Sequence, residues 1–305
     1  MITVLLEGGD PAIREAVERH AGEPLPWAMP GEESRAEIWF CPDRPPESPR
    51  ALPALRWIHS GWAGVEGWFG RPEWRDGVLL TRTVGDFPQR IAEYVAGWLL
   101  ADALGARDAF RAMDARAWTR WTPRSLATRS LLVVGHGAIG RRVAEVTRAL
   151  GMTVRGIRRG PLGPLDYALG VEELSALEAL LPSADVVVNL LPLTHETRDF
   201  WNRERFGRMK AGSTFVNVAR GASVDETALL EALAAGRPVR AILDVFRTEP
   251  LPPDDPLRKS PAVWITPHVA GTGTADPLAA EFAANWKRFK DGAPLRNVVD
   301  RERGY

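Results

Sequence analysis

From Ser130 onward, short apolar runs alternate with segments whose apolar residues recur at helical spacing. The runs are LLVVG (131–135), VVVNLL (186–191), TFVNV (214–218), AILDVF (241–246) and VWITP (263–267). Between them lie RRVAEVTRAL, VEELSALEALL and DETALLEALAA. Continuous apolar strands separated by helices predict a parallel sheet covered on both faces. Near the start of the chain, Ile2 to Leu6 reads as a strand and a helix follows from Pro11. Up to residue 90 the alternation is weaker, and the proline-dense stretch 41–53 reads as a loop. Residues 86–113 read as a long helical connection, and the last 30 residues hold one amphipathic helix and a tail. The pattern predicts an α/β chain of two Rossmann-like domains with doubly wound parallel sheets. A dinucleotide-binding domain, 91–274, is inserted into a substrate-binding domain built from 1–90 and 275–305.

Composition narrows the class. A chain of 305 residues is long enough for two cores, and its 45% apolar and 26% charged residues are ordinary for a globular protein. The formal net charge is zero, so no global field draws nucleic acid or an anionic membrane surface. No apolar run reaches the roughly 18 residues a membrane span needs. The first residues lack a basic segment followed by a long apolar core, and read as mature fold. One cysteine, Cys41, excludes an intrachain disulfide and a thiolate zinc site and suits a reducing cytoplasm. No cluster has metal-ligand spacing, so no metal is expected. Most of the 12 tryptophans are expected to anchor the core or an interface.

The segment LLVVGHGAIGRRVAEVTRALGMTVRGIRRG, 131–160, carries Gly135, Gly137 and Gly140 in the G-x-G-x-x-G spacing, with Ala138 and Ile139 between them. It follows a strand, opens a helix and leads to a second strand, as a dinucleotide-binding βαβ unit requires. The helix N-terminus offers free N–H groups and a positive dipole end to a pyrophosphate. An NAD site has Asp or Glu at the end of the second strand, for the ribose 2′-hydroxyl. Here that place holds Arg158, at 158 − 140 = 18 residues past the last glycine, followed by Arg159. Guanidinium groups match a 2′-phosphate, so NADP(H) is the expected preference, with NAD(H) possible.

Three further segments each follow a predicted strand, where ligands of open α/β sheets bind. They are VNVARGASVDE with Arg220, ILDVFRTEPLP with Asp244 and Glu249, and WITPHVAGTGT with His268. Reducing a 2-oxo acid requires the carboxylate to be held, the carbonyl polarised and a proton delivered to its oxygen. Arg220 offers the fixed cation, His268 the acid, and Glu249 an anion to hold the histidine ring. The bland reading of Arg220 is a surface ion pair. His59, His136 and His195 read as structural or solvent-facing, and Asp225 as a helix N-cap.

At these residues the chain resembles the D-isomer-specific 2-hydroxyacid dehydrogenase family. GHGAIG, LLPLTHETRDFWN, FVNVARG, LDVFRTEPLP and TPHVAG match its motifs in order and spacing. The resemblance implies that Arg220, Glu249 and His268 are the catalytic residues and that Asp244 holds the nicotinamide carboxamide. It implies cofactor contacts at Leu191, Pro192, Thr197, Val218 and Ala219. It also implies a substrate loop, SGWAGVEG, whose backbone around Trp62, Ala63 and Gly64 cradles a carboxylate together with Arg220 and His268. Trp62 is bulky for that loop. The paired arginines and short chain are similar to the glyoxylate/hydroxypyruvate reductase branch, which implies a D-2-hydroxy acid product and a homodimer formed through the cofactor domain. Trp118 and Trp121 are candidates for packing on a partner subunit. Two other readings stay open: a relative acting on another small anion such as phosphite, and a dinucleotide-sensing binding protein without turnover.

Overall fold

The computed structural model describes residues 2–8, 11–272 and 274–304. It divides into two compact units, residues 1–87 with 273–305, and residues 88–272.

In the first unit four parallel strands lie in sequential order: β1 (Val4–Leu6), β2 (Ile38–Cys41), β3 (Trp57–Ser60) and β4 (Leu79–Arg82). Only β1 was legible as an apolar run, and it begins at Val4 rather than Ile2. The other three have four residues each, too short to show a period, and β3 and β4 also mix in His59, Thr81 and Arg82. Alternation sends their side chains to two cores. Val4, Leu6, Ile38, Phe40 and Trp57 meet helix α1 (Pro11–Ala21) and the C-terminal helix Ala275–Lys290. Leu5, Trp39, Cys41, Ile58 and Leu80 face Trp68, Trp74 and Val299 on the other side. Phe40 and Phe282 stack at 4.2 Å, and Trp57 stacks on Phe282 at 5.2 Å. Burial pushes the Cys41 thiol up to about 12, which leaves it inert.

The second unit opens with helix α2 (Phe87–Leu104), which enters it at Pro88, and α3 (Ala106–Asp114). The helical connection expected over 86–113 is therefore broken, at Gly105 with φ +70°. A seven-stranded parallel sheet follows, in the order β11-β10-β9-β8-β5-β6-β7. Its members are β5 (Ser130–Val134), β6 (Thr153–Arg158), β7 (Val171–Glu173), β8 (Val186–Asn189), β9 (Thr214–Asn217), β10 (Arg240–Leu243) and β11 (Val263–Ile265). The chain runs outward from β5 through β6 to β7, then returns to place β8 on the other side of β5. That reversal is the switch point at which open α/β sheets bind ligands. Helix α4 (Ala138–Ala149) joins β5 to β6. A core that includes Leu132, Val187, Phe206, Phe215, Leu229 and Leu243 fills one side of the sheet. Among the described residues no helix is long and apolar enough to cross a membrane.

His59 is fully buried in the first unit, between Phe40, Trp57 and Phe282. Its Nδ1 lies 2.7 Å from Thr81 Oγ1 and its Nε2 3.3 Å from Thr83 Oγ1. Burial pushes its pKa down to about 3, from an ordinary 6.5. The unfolded chain therefore binds a proton that the folded chain refuses, and stability falls as pH drops from about 6.5 toward 3. Denaturant unfolding at pH 7.5 and pH 5 is expected to show wild type losing about 2 kcal/mol more between the two than His59→Gln does; equal losses would remove His59 from the acid response.

Candidate active site

The strand register builds the site. Val134 stands opposite Asn189, Asn189 opposite Asn217, Asn217 opposite Leu243, and Leu243 opposite Ile265. These are the last residues of their strands, so the sheet stops along one line. The next residues on the chain are Gly135, Leu190, Val218, Asp244 and Thr266. Each begins a segment singled out above.

After β5 the chain turns at Gly135, whose φ of +108° an L side chain rarely adopts. Gly137 is the N-cap of α4, ahead of Ala138, Ile139 and Gly140. A Cβ on Gly137 would meet nothing within 4 Å, so open space lies over this helix N-terminus. That space and the helix dipole fit a pyrophosphate. His136 is buried beside Gly156 of β6, and desolvation lowers its pKa and keeps it neutral.

Arg158 ends β6 and is half-buried. Its Nη1 lies 3.3 Å and 3.5 Å from the two carboxylate oxygens of Asp166. Asp166 also accepts the Gly163 N–H at 3.0 Å, and that bond first, then Arg158, hold its carboxyl below the usual range. Arg159 pairs with Glu196. Arg155 instead pairs with Glu172 at 3.2 Å and is the most exposed of the three. Past β8, Leu191 and Pro192 open a loop closed by Thr197, whose hydroxyl donates to the Pro192 carbonyl at 2.6 Å and accepts the Thr194 N–H at 2.7 Å.

Arg220 follows Val218 and Ala219 beyond β9 and is half-buried, with Nη1 donating to the Ala219 carbonyl at 2.7 Å. A buried polar network shapes this turn. Asn189 donates to Asn217 Oδ1 at 3.0 Å and to Ser223 Oγ at 2.9 Å. Asn217 accepts the Ala219 N–H at 3.2 Å and donates to the Arg220 carbonyl at 3.2 Å, which Ser223 Oγ also reaches at 2.6 Å. The following glycine is obligatory for a different reason. A Cβ on Gly221 would lie 1.8 Å from the carbonyl carbon of Phe246, so only glycine lets the Arg220 turn touch the segment that leads to Glu249.

Glu249 accepts the Phe246 N–H on Oε1 at 3.0 Å and faces His268 Nδ1 with Oε2 at 2.8 Å. Both side chains are about a quarter exposed. His268 has φ +54°, a left-handed conformation rare for a residue with a Cβ. Asp244 holds it there. The His268 N–H donates to the Asp244 carbonyl at 2.8 Å. The buried Asp244 carboxylate accepts the Val269 and Ala270 N–H groups, each at 2.9 Å, and the Thr266 hydroxyl at 2.6 Å. Tyr94 Oη stands 2.5 Å from that same hydroxyl, in surroundings that raise its pKa. Asp244 is thus a brace for the histidine segment, a role the motif match did not indicate.

Trp62, Ala63 and Gly64 belong to the first unit. There Arg44 lies over the Trp62 ring at 5.6 Å, Arg82 donates to the Ala63 carbonyl at 3.0 Å, and Trp62 N–H points to Ser60 Oγ at 3.4 Å. The structure brings Glu249 and His268 into direct contact and sets Arg220, Asp244 and the glycine loop on the same edge of one sheet. Sequence reasoning missed Asn189, Asn217, Ser223, Thr266 and Tyr94. A trace was present: Asn189 and Asn217 are polar residues ending otherwise apolar runs, VVVN and TFVN.

Residues 97–270 match the family model described as D-isomer specific 2-hydroxyacid dehydrogenase, NAD binding domain. The chain belongs to this family. Its membership makes it an NAD(P)-dependent oxidoreductase. A glyoxylate reductase of Korarchaeum cryptofilum is 34% identical over 263 residues, covering 83% of this chain and 78% of the relative. Among solved structures, a D-isomer specific 2-hydroxyacid dehydrogenase from Xanthobacter autotrophicus Py2, in complex with NADPH and MES, is similar with a TM-score of 0.86 at 31% identity. It covers 100% of this chain and 99% of its own. The NADPH-dependent glyoxylate/hydroxypyruvate reductase from Sinorhizobium meliloti, in complex with NADP and sulfate, gives 0.85 at 29% identity with both chains covered fully.

Proposed function

We propose that this dehydrogenase reduces a small 2-oxo acid, of the glyoxylate or hydroxypyruvate type, to the D-2-hydroxy acid with NADPH. The observation that carries the reading is the 2.8 Å contact of His268 Nδ1 with Glu249 Oε2, with Arg220, Glu249 and His268 following the neighbouring strands β9, β10 and β11. An anionic Glu249 makes Nδ1 the donor of that bond. Nε2 is then the ring atom turned to substrate, and it delivers the proton to the carbonyl oxygen. Arg220 holds the carboxylate and polarises the carbonyl. The backbone around Trp62, Ala63 and Gly64 is the proposed carboxylate cradle. Proton transfer of this kind contributes about 10²–10⁴-fold. Holding the reactants in line contributes more, about 7–11 kcal/mol, which is why so much of the sheet edge is spent on bracing.

The cofactor supplies the hydride. Gly135 to Gly140 would hold its pyrophosphate, Arg158 and Arg159 its 2′-phosphate, and Leu191, Pro192, Thr197, Val218, Ala219 and Asp244 its nicotinamide half. The NADP-bound relatives support this preference. A homodimer through the second unit is supported by apolar side chains left in solvent. Phe110 and Met113 on α3 are 64% and 67% exposed, and Trp118 is 93% exposed. The single, buried thiol of Cys41 supports a cytoplasmic setting.

Three measurements test the reading. His268→Ala is expected to lower kcat by at least about 10²-fold with 2-oxo acids while NADPH still binds; undiminished turnover removes His268 from proton transfer, and a wild type that binds NADPH without turnover favours a sensor. Arg158→Ala is expected to cut kcat/KM for NADPH by about tenfold or more and leave NADH nearly unchanged; equal losses with both cofactors refute the phosphate contact. Sedimentation is expected to find twice the 33.6 kDa chain mass, falling to the monomer in a Phe110→Glu/Met113→Glu variant; a wild-type monomer refutes the dimer.

A further inference from the structure

The second unit holds a cavity of about 420 Å³ at the opposite end of its sheet. Arg240, in its wall, is the first residue of β10, whereas the candidate site begins after Leu243, the last. Pro261, also in the wall, precedes β11. At about 3.3 Å per residue the two ends of such a strand lie roughly 10 Å apart. The cavity is therefore separate from the crevice that receives the cofactor.

Its charge is lopsided. Arg107, Arg111, Arg124 and Arg240 line it against Asp102 and Asp108, so the lining carries 4 − 2 = +2. Asp108 serves Arg111, at 3.4 Å. Asp102 is 6% exposed and is shared among three guanidinium groups: Arg240 at 3.2 Å, Arg124 at 3.3 Å and Arg129 at 3.5 Å. Charge-assisted bonds are ordinarily about 2.7–2.9 Å, so one stretched carboxylate is divided among three cations, and Arg240 and Arg129 also donate to the Pro261 and Asp185 carbonyls. Arg129, 8% exposed, does not line the cavity; its Nη2 donates to the Asp185 carbonyl at 3.1 Å and to Thr214 Oγ1 at 3.2 Å. The walls hold an unmet donor, the buried Nε1 of Trp264, whose ring also lies under Arg240 at 4.9 Å. Arg107, Arg111 and Arg124 are exposed, so the positive surplus faces solvent at the cavity mouth, where it attracts anions.

We propose that this cavity binds a small phosphate-bearing molecule. A phosphate monoester carries about −1.5 to −2 at neutral pH, close to the surplus of the lining, whereas a single carboxylate supplies half of it. Its oxygens suit the forked donors of Arg107, Arg111 and Arg124. Trp121 and Trp264 give apolar walls to a carbon skeleton. Arg107 and Arg111, four residues apart on α3, share a helix face, and Phe110, three residues from Arg107, lies beside it; the site does not rest on the proposed reaction.

The test is calorimetric titration of inorganic phosphate into the full chain already saturated with NADP+, at constant ionic strength in chloride. Saturable binding is expected, weakened about tenfold or more in an Arg107→Gln/Arg111→Gln variant. Both side chains are exposed, so the variant keeps its fold, its kcat and its KM for NADPH. Removing two exposed arginines elsewhere, Arg203→Gln/Arg208→Gln, is expected to leave the affinity unchanged. No saturable binding, equal affinities in wild type and the first variant, equal loss in both variants, or binding that disappears once NADP+ is loaded would each overturn the proposal.

Discussion

The row of facing residues Val134, Asn189, Asn217, Leu243 and Ile265 is the constraint from which the candidate site follows. Parallel pairing with a common end point makes the sheet finish along one line, and every loop of interest starts one residue beyond it. The ladder continues into those first residues: Leu190 N–H donates to Val134, Asp244 N–H to Asn217 and Thr266 N–H to Leu243, at 2.8, 3.0 and 3.0 Å. A slip of one residue in any pair would turn a strand's side chains to the opposite face. It would also move Arg220, Glu249 or His268 by about 3.3 Å relative to its neighbours.

Beyond the row, buried polar groups take over from the ladder. Asn189, Asn217 and Ser223 are at most 1% exposed, yet hydrogen bonds answer their side chains. Unmet, such groups would each cost about 1–3 kcal/mol. Met as a set, they admit one arrangement of the Arg220 turn, because losing one bond strands its neighbour. Asp244 works the same way on the other side. It spends its carboxylate on two N–H groups and a hydroxyl, and so keeps His268 in a backbone conformation that costs about 1–2 kcal/mol. These are braces for geometry, and hydrophobic burial alone could not supply them, since it is not directional.

The second unit was far more legible than the first. Its runs are apolar on both faces because helices cover the sheet, and each run is followed by a residue type that chemistry needs, so Gly135, Arg220, Glu249 and His268 stood out. In the first unit, strands such as WIHS carry a histidine whose burial depends on Thr81 and Thr83 from other parts of the chain. No local pattern announces that. The helical stretch 86–113 read as continuous because a single glycine inside helical spacing is ambiguous; in the fold Gly105 has a positive φ, and beside it Trp121 Nε1 donates to the Leu104 carbonyl at 2.8 Å.

Asp166 shows where local reading ends. In the chain it is an acid eight residues past Arg158, and in the fold it lies against that guanidinium because the turn at Gly163 swings it back. By itself the sequence determined, in the second unit, the strands β5, β6 and β8 to β11, the glycine turn and the identities of the arginine, glutamate and histidine, because those depend on neighbours along the chain; it missed β7, whose Val171–Glu173 it read as helical. Tertiary structure alone decided that Gly221 must be bare against Phe246, that Glu249 meets His268, and that Asp102 is divided among Arg124, Arg129 and Arg240. Each of those contacts joins residues far apart along the chain, and only the closed register of the sheet fixes the distance between them.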